Sequence, residues 1–196
     1  MNRVAIDIDE VLVKFLFPMA NHHRQLHKLW SKPKYRYVYR EIFEIDESTS
    51  QKMVHEFYQS KDFMDLTPIQ GSQKAMFNLK ERYDKMYILT GRQDMAREET
   101  EAWINTYFPG VFDDVILTNS YTPNIGLIID DNKAICDRCI DNGVRALNFI
   151  GDEDSIYPWC EESDISIQGW NELKIYDNYR ITICQSESFY QVLYIK

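Results

Sequence analysis

Two aspartates one residue apart, Asp7 and Asp9, close a short apolar run that begins at Arg3. Side chains alternate along extended chain, so both carboxylates face one way while Ile8 turns back to the core. A second apolar run ends in Thr90-Gly91-Arg92, a hydroxyl, a residue whose bare N–H can approach an oxyanion, and a cation. A third, Leu127 to Ile129, ends in Asp130-Asp131. If the three runs are parallel strands of one sheet, up to four carboxylates, a hydroxyl and free amides meet at one edge. Crowded carboxylates repel unless a proton is shared or a cation intervenes. Mg²⁺ suits them, because it takes hard oxygen ligands and keeps positions for phosphate and water. A carboxylate held there can attack a phosphoryl group while an acid two residues on protonates the leaving oxygen, which is the layout of a phosphatase. Taken singly, each acid has a plainer explanation: strand ends and helix caps favour Asp, and Asp130 or Asp131 could cap a helix at Asn132. That explanation has to be invoked three times in register.

The elements around these residues fit such a sheet. From Ser72 the chain alternates helix 72–83, strand 86–89, helix 94–108, strands 114–117 and 127–129, helix 132–142 and strand 144–149. Ala75, Met76, Leu79 and Tyr83 share one side of the first helix; Ala96, Thr100, Trp103, Ile104 and Tyr107 share one side of the second. Pro109-Gly110 and Asn142-Gly143 supply stop signals. The expectation is a three-layer α/β, Rossmann-like domain with a mostly parallel sheet, its ligand beyond the carboxyl ends of the strands. Residues 14–68 differ in style, rich in His, Tyr and Lys, with helical stretches around Phe17–Trp30 and Ser50–Ser60. They are expected to form a helical insertion after the first strand. Two β-rich runs, 179–184 and 189–195, are expected to close the chain as a hairpin whose edge could pair with a second copy. The expected division is thus a core of residues 1–13 and 69–176, an insertion at 14–68 and a hairpin at 177–196.

Composition bounds the function. The 196 residues, 44% hydrophobic and 27% charged, describe one globular domain with an insertion. No run approaches the ~20 apolar residues of a membrane span, and acids occupy the place of a signal's apolar segment, so a cytoplasmic protein is expected. Four cysteines in a chain this long need form no disulfides, and Cys136 and Cys139, spaced as CxxC inside an expected helix, lack a second pair to complete a zinc site. A net charge of −9 argues against general nucleic-acid binding. The stretch from His22 to Arg40 reverses the sign: it holds no acid, and its Lys and Arg alternate with Trp30, Tyr35, Tyr37 and Tyr39. It reads either as a solvated basic face or as a segment that draws in an anionic, aromatic ligand.

Residues 4–12 (Val-Ala-Ile-Asp-Ile-Asp-Glu-Val-Leu), Ile88-Leu89-Thr90-Gly91-Arg92 and Leu127-Ile128-Ile129-Asp130-Asp131-Asn132 resemble the first, second and fourth motifs of the haloacid dehalogenase-like phosphohydrolases. The likeness covers roughly residues 3–173. The insertion directly after the first motif is similar to the cap of the pyrimidine deoxyribonucleotidase branch. Asp9-Glu10-Val11-Leu12, Pro68 to Gly71 and Tyr157-Pro158-Trp159-Cys160 look closer to plant and algal members. The resemblance implies Asp7 as nucleophile and Mg²⁺ ligand and Asp9 as general acid/base, its backbone carbonyl also on the metal. Thr90, Gly91 and Arg92 would hold phosphate, and Asp130 and Asp131 would complete the metal shell. The insertion would be a cap that selects a small phosphorylated substrate, nucleotide-like, with Lys32, Lys34 and Arg36 as its anion contacts.

One departure matters. The family's third motif is a Lys before the Asp-Asp strand, and the nine residues 118–126 contain neither Lys nor Arg. Nine residues are too few for a helical crossover between parallel strands, so the helix that carries this Lys is inferred to be deleted, with Lys133, Lys28 or Lys34 as candidate substitutes. Two functions stay open: a Mg²⁺-dependent phosphatase, or a catalytically weak relative that binds a phosphorylated ligand or a protein partner.

Overall fold

The structure is a computed structural model that describes residues 2–92, 94–117, 124–176, 180–184 and 190–193, with side chains through residue 173. Strand β1 (Arg3–Ile6) leads into five helices: α1 (Leu16–His22), α2 (Leu26–Leu29), α3 (Tyr39–Phe43), α4 (Glu47–Tyr58) and α5 (Lys61–Met64). Then follow α6 (Ser72–Lys80), β2 (Lys85–Thr90), α7 (Arg97–Tyr107), β3 (Asp114–Leu117), β4 (Leu127–Asp130), α8 (Lys133–Asp141), β5 (Arg145–Gly151) and β6 (Ser166–Gln168).

These six strands form one parallel sheet in the order β3-β2-β1-β4-β5-β6. Alternation along the strands divides their side chains between two cores. Val4 and Ile6, Met86 and Ile88, Leu127 and Ile129, Leu147 and Phe149 enter the larger one, with α6, α7 and the insertion. Ala5, Leu89, Ile128 and Ala146 point to the opposite face, where they meet Cys136 and Cys139 of α8 and Ile125. A sheet buried on both faces is the three-layer α/β arrangement, as the alternation of elements predicts.

The strand order reverses direction between β1 and β4, so this is the topological switch point, where crossovers leave to opposite sides and open a crevice. The β1 and β4 registers pair Ile6 with Ile129, and the Asp7 N–H donates to the Ile129 carbonyl at 2.9 Å. Asp7 and Asp130 therefore emerge side by side at the crevice.

The insertion is tied down where it leaves and rejoins the core. Val13 bridges Pro68, and the Ile69 N–H donates to the Leu12 carbonyl at 2.7 Å. Two indoles fasten these strands, with Trp170 Nε1 donating to the Val11 carbonyl at 2.9 Å and Trp103 Nε1 to the Leu66 carbonyl at 2.8 Å. Inside, Phe15 packs edge-on against Phe57 at 5.2 Å, with Tyr58 and Phe63 beside it. The expected helix over 17–30 is broken in two, because Arg24 takes a left-handed φ of 57° between α1 and α2. The helices α3 and α5, each at most five residues, show no periodicity that sequence could reveal.

Beyond the parallel sheet, β7 (Leu173–Tyr176), β8 (Arg180–Cys184) and β9 (Tyr190–Leu193) pair antiparallel in that order. The terminal hairpin is thus joined by a third strand; its connecting residues 185–188 lie outside the described residues. No described helix is long and apolar enough to cross a membrane.

Candidate active site

The carboxyl ends of β1, β2 and β4 surround a cavity of about 550 Å³. Its floor holds Asp7, Asp9, Thr90, Gly91, Arg92, Asp130 and Asp131; its roof is Tyr37, Tyr39 and the α4 residues Glu47, Ser50, Gln51, Val54 and Tyr58. The three strand ends that the sequence singles out therefore meet in one place.

Asp7, Asp130 and Asp131 each offer a carboxylate oxygen within 4.8 Å of the others. Burial pushes the Asp7 carboxyl well above the usual range, and the charges of Asp130, Asp131 and Asp9 push it further. Burial raises Asp130 to about 7 and, with the charge of Asp130, raises Asp131 well above its ordinary value. Without a cation these acids cannot all be ionised. Mg²⁺ takes hard oxygen donors, and three carboxylates gathered within 4.8 Å of one another supply the donor type and number such an ion needs from a protein.

The helix-cap explanation holds in part for Asp130, whose Oδ1 accepts the Asn132 N–H at 2.8 Å, but neither acid is the N-cap itself. Asn132 is the N-cap of α8, its side chain accepting the Ala134 N–H at 3.0 Å. The Asn148 amide, wholly buried on the next strand, donates to the carbonyls of Asp130 and Asp131 at 3.1 and 2.9 Å. It pins the backbone that carries both acids. An Asn within the apolar strand Ala146 to Ile150 is the sequence signal for this role.

Asp9 lies outside the three-acid group. Its carboxylate receives Arg92 Nε at 3.0 Å and Nη2 at 2.6 Å, a forked pair, while Arg92 Nη1 donates to Thr100 Oγ1 at 3.0 Å. The Arg92 side chain is 1% exposed, with its guanidinium 5.1 Å from the Phe63 ring and 5.7 Å from Phe15. The structure thus commits Arg92 to Asp9 and to the aromatic core of the insertion; the expectation of a phosphate contact by this side chain does not match that placement. Thr90 is buried, and its Oγ1 accepts the Arg92 N–H at 3.3 Å.

The basic side chains Lys32, Lys34 and Arg36 are not at the site. Lys32 pairs with Glu44 at 3.8 Å, Lys34 with Glu161 at 3.3 Å and Arg36 with Glu41 at 2.7 Å, and none of the three lines the cavity. Their acidic partners Glu44, Glu161 and Glu41 lie outside the acid-free window 22–40, where a local charge count does not reach. What the segment does contribute is tyrosine: Tyr37 and Tyr39 join hydroxyls at 3.2 Å on the cavity wall. Among the described residues, no lysine lines the cavity in place of the missing one. Lys28 is held by Glu44 and Lys133 by Asp137 at 2.7 Å, and Arg92 is the only basic residue among the described residues that line the cavity. Of the segment 118–126, residues 118–123 lie outside the described residues.

A further contact was not expected from the sequence. Trp159 Nε1 donates to Asp131 Oδ2 at 2.8 Å.

Solved structures with this fold include a haloacid dehalogenase-like hydrolase from Streptococcus pneumoniae, with a TM-score of 0.54 at 14% identity over 76% of this chain and 84% of that one. A candidate phosphoglycolate phosphatase from Lactobacillus delbrueckii subsp. bulgaricus gives 0.57 at 9% identity, over 87% and 95%. A candidate beta-phosphoglucomutase from Thermotoga maritima gives 0.52 at 15% identity, over 87% and 96%. No curated protein matches the chain significantly. Residues 1–137, however, match the family described as 5′ nucleotidase, deoxy (Pyrimidine), cytosolic type C protein. Because that match takes in all three strand ends at the crevice and well over half of the chain, the protein belongs to this nucleotidase family of haloacid dehalogenase-like phosphohydrolases.

Proposed function

We propose that the protein is a Mg²⁺-dependent phosphatase of small phosphomonoesters, nucleotide-like in size and aromatic character, with Asp7 as its nucleophile. The observation that carries this reading is the meeting of Asp7, Asp130 and Asp131 at the switch point, beside an Asp9 that stands clear of them. Asp7, Asp130 and Asp131, with the Asp9 carbonyl, are the residues that would hold Mg²⁺, which when bound supplies positive charge to a phosphate and relieves the repulsion among the acids.

The chain's own residues then divide the work. Thr90 Oγ1 and the Gly91 N–H receive the phosphate oxygens. The Asp7 carboxylate attacks phosphorus as the bond to the leaving oxygen breaks, and Asp9, a carboxylate while it is paired with Arg92, first takes up a proton and then passes it to that oxygen. In the second half Asp9 takes a proton from water, which attacks the aspartyl-phosphate, frees phosphate and restores Asp7. Arg92 orients Asp9 throughout and contributes, from one residue beyond Gly91, part of the positive charge that the missing Lys would supply. Residues 14–68 act as the cap. Tyr37, Tyr39 and Tyr58 give it an aromatic inner face, and Ser50 and Gln51 offer hydrogen bonds to a polar ring.

A second reading, a weak relative that only binds phosphorylated ligands, is favoured by the lack of a lysine among the described residues that line the cavity. One assay separates them. With Mg²⁺ and an aryl phosphate or a deoxynucleoside monophosphate, the wild type should turn over and Asp7→Asn should lose at least a thousandfold in kcat while still folding. Absence of turnover on both substrates, with Mg²⁺ bound, would establish the binder.

A further inference from the structure

The contact between Trp159 and Asp131 leads beyond the roles above. The indole stacks on Tyr157, with ring centroids 4.8 Å apart and planes at 17°. Its other neighbours come from the insertion: Tyr37 at 4.7 Å and Tyr35 at 5.8 Å, the latter also donating its N–H to the Pro158 carbonyl at 3.3 Å. Tyr37 in turn lines the cavity and meets Tyr39. Trp159 therefore touches both the acid cluster and the segment that roofs the substrate space.

Asp131 needs such a partner. Its backbone is pinned by Asn148 and by Cys160, whose Sγ donates to the Asp131 carbonyl at 3.5 Å. That fixes the main chain, but the carboxylate can still rotate about its own bonds. One N–H on Oδ2 selects a rotamer and leaves lone pairs for a cation. An aromatic ring that only filled space would not require a nitrogen aimed at the acid.

We propose that Trp159 is a positioning residue for the metal site, which orients Asp131 through Nε1–H and is itself held by Tyr35 and Tyr37, so that cation affinity depends on how the insertion is seated. The inference rests on the Mg²⁺ reading of the cluster, and its test separates the two.

Mg²⁺ binding is measured by calorimetry on the full chain, independently of turnover. Trp159→Phe keeps a stacked ring and removes the donor; affinity for Mg²⁺ should fall about tenfold or more, within the range seen when outer-shell partners are lost. Activity on aryl phosphate should lose kcat at limiting Mg²⁺ and regain it at proportionally higher Mg²⁺, with KM within about twofold. Trp159→His restores an N–H two bonds from Cγ, as in indole, and should recover part of the affinity. Tyr35→Leu leaves the donor in place but loosens its seat; it should weaken Mg²⁺ binding several-fold in the wild type and add nothing in the Trp159→Phe background, the non-additivity expected of one coupled unit. Thermal unfolding checks each variant, and Tyr35→Leu, further from the acids, carries the test should Trp159→Phe not fold. If Trp159→Phe binds Mg²⁺ within twofold of wild type, or His rescues nothing, the indole has no positioning role and the phosphatase reading stands. A wild type that binds no Mg²⁺ overturns both.

Discussion

Arg92 illustrates what a residue's neighbours in sequence can and cannot say. Thr90-Gly91-Arg92 after a strand reads as a phosphate cradle, yet the guanidinium turns to Asp9, 83 residues away, at 2.6 Å. Strand-end position is legible in sequence; the carboxylate across the sheet that captures a cation is not. The acids themselves were readable because each terminates an apolar run, and alternation fixes which way Asp7 and Asp9 face. Lys32, Lys34 and Arg36 match the solvated-face alternative, and what a count over residues 22–40 cannot show is their acidic partners, which come from outside that window. The Asp9–Arg92 pair makes a stability prediction. Removing one member of a buried pair strands the other's charge, at a cost of about 3–5 kcal/mol. Arg92→Met should lower the urea unfolding free energy by that amount. Arg92→Lys, which keeps the charge but loses the fork, should cost less and still reduce kcat about tenfold or more. Equal stability of Arg92→Met and wild type would show that the pair is dispensable to the fold.

At the scale of elements, the long periodic segments α6, α7 and α8 and the apolar strands were legible, because burying a stripe or a face imposes a period on the sequence. Short helices carry no such record, and neither does the start of the insertion. There the chain must leave Asp9, turn and begin α1. Glu10 adopts a left-handed φ of 62°, and its Oε1 accepts the N–H groups of Phe15 and Leu16 at 2.9 and 2.6 Å. A side chain five residues upstream thus does the work of an N-cap, which the N-cap residue Phe15 cannot do itself. Burial raises the Glu10 carboxyl to about 7, against the hydrogen bonds from Leu16 and Phe15 that favour its charged form, so at mildly acidic pH it is largely neutral and resembles glutamine. Three substitutions should rank accordingly. Glu10→Gln keeps the acceptor and changes stability least. Glu10→Ala loses the cap at about 1–2 kcal/mol. Glu10→Gly loses the same cap but relieves the left-handed backbone, worth roughly 1 kcal/mol, and should fall between them. Urea midpoints at pH 6 give the order, and Glu10→Ala matching Glu10→Gln would remove the capping role.

For the molecule as a whole, the acid cluster makes stability depend on pH and on the cation together. Asp130 is raised to about 7 by burial, and Asp7 and Asp131 are raised in the same direction. A carboxyl whose folded value exceeds its unfolded one, near 4, gives stability that is full below the unfolded value and is lost as pH rises through the folded value. In EDTA, Tm should therefore fall between pH 5 and pH 8. Asp113 has the opposite sign: burial pushes it up, but hydrogen bonds from Lys85, the Met86 N–H and Lys80 hold it well below the ordinary range. Its contribution is present above about pH 4 and lost only as pH drops further, so the interval from 5 to 8 is left to the cluster and to Glu10, whose raised carboxyl acts with the same sign. Mg²⁺ bound to the folded state alone stabilises by about 2.7 kcal/mol at a hundredfold excess over Kd, and it requires ionised carboxylates. Its effect should hence be small at pH 5 and large at pH 8, where about 2–4 °C accompanies each kcal/mol in a chain of this size. Heating scans with EDTA and with Mg²⁺ at both pH values test the sign directly. A Tm in EDTA that rises from pH 5 to 8, or a Mg²⁺ increment equal at the two, would mean that the three carboxylates do not carry their repulsion through folding, and the cation would lose its place in the site.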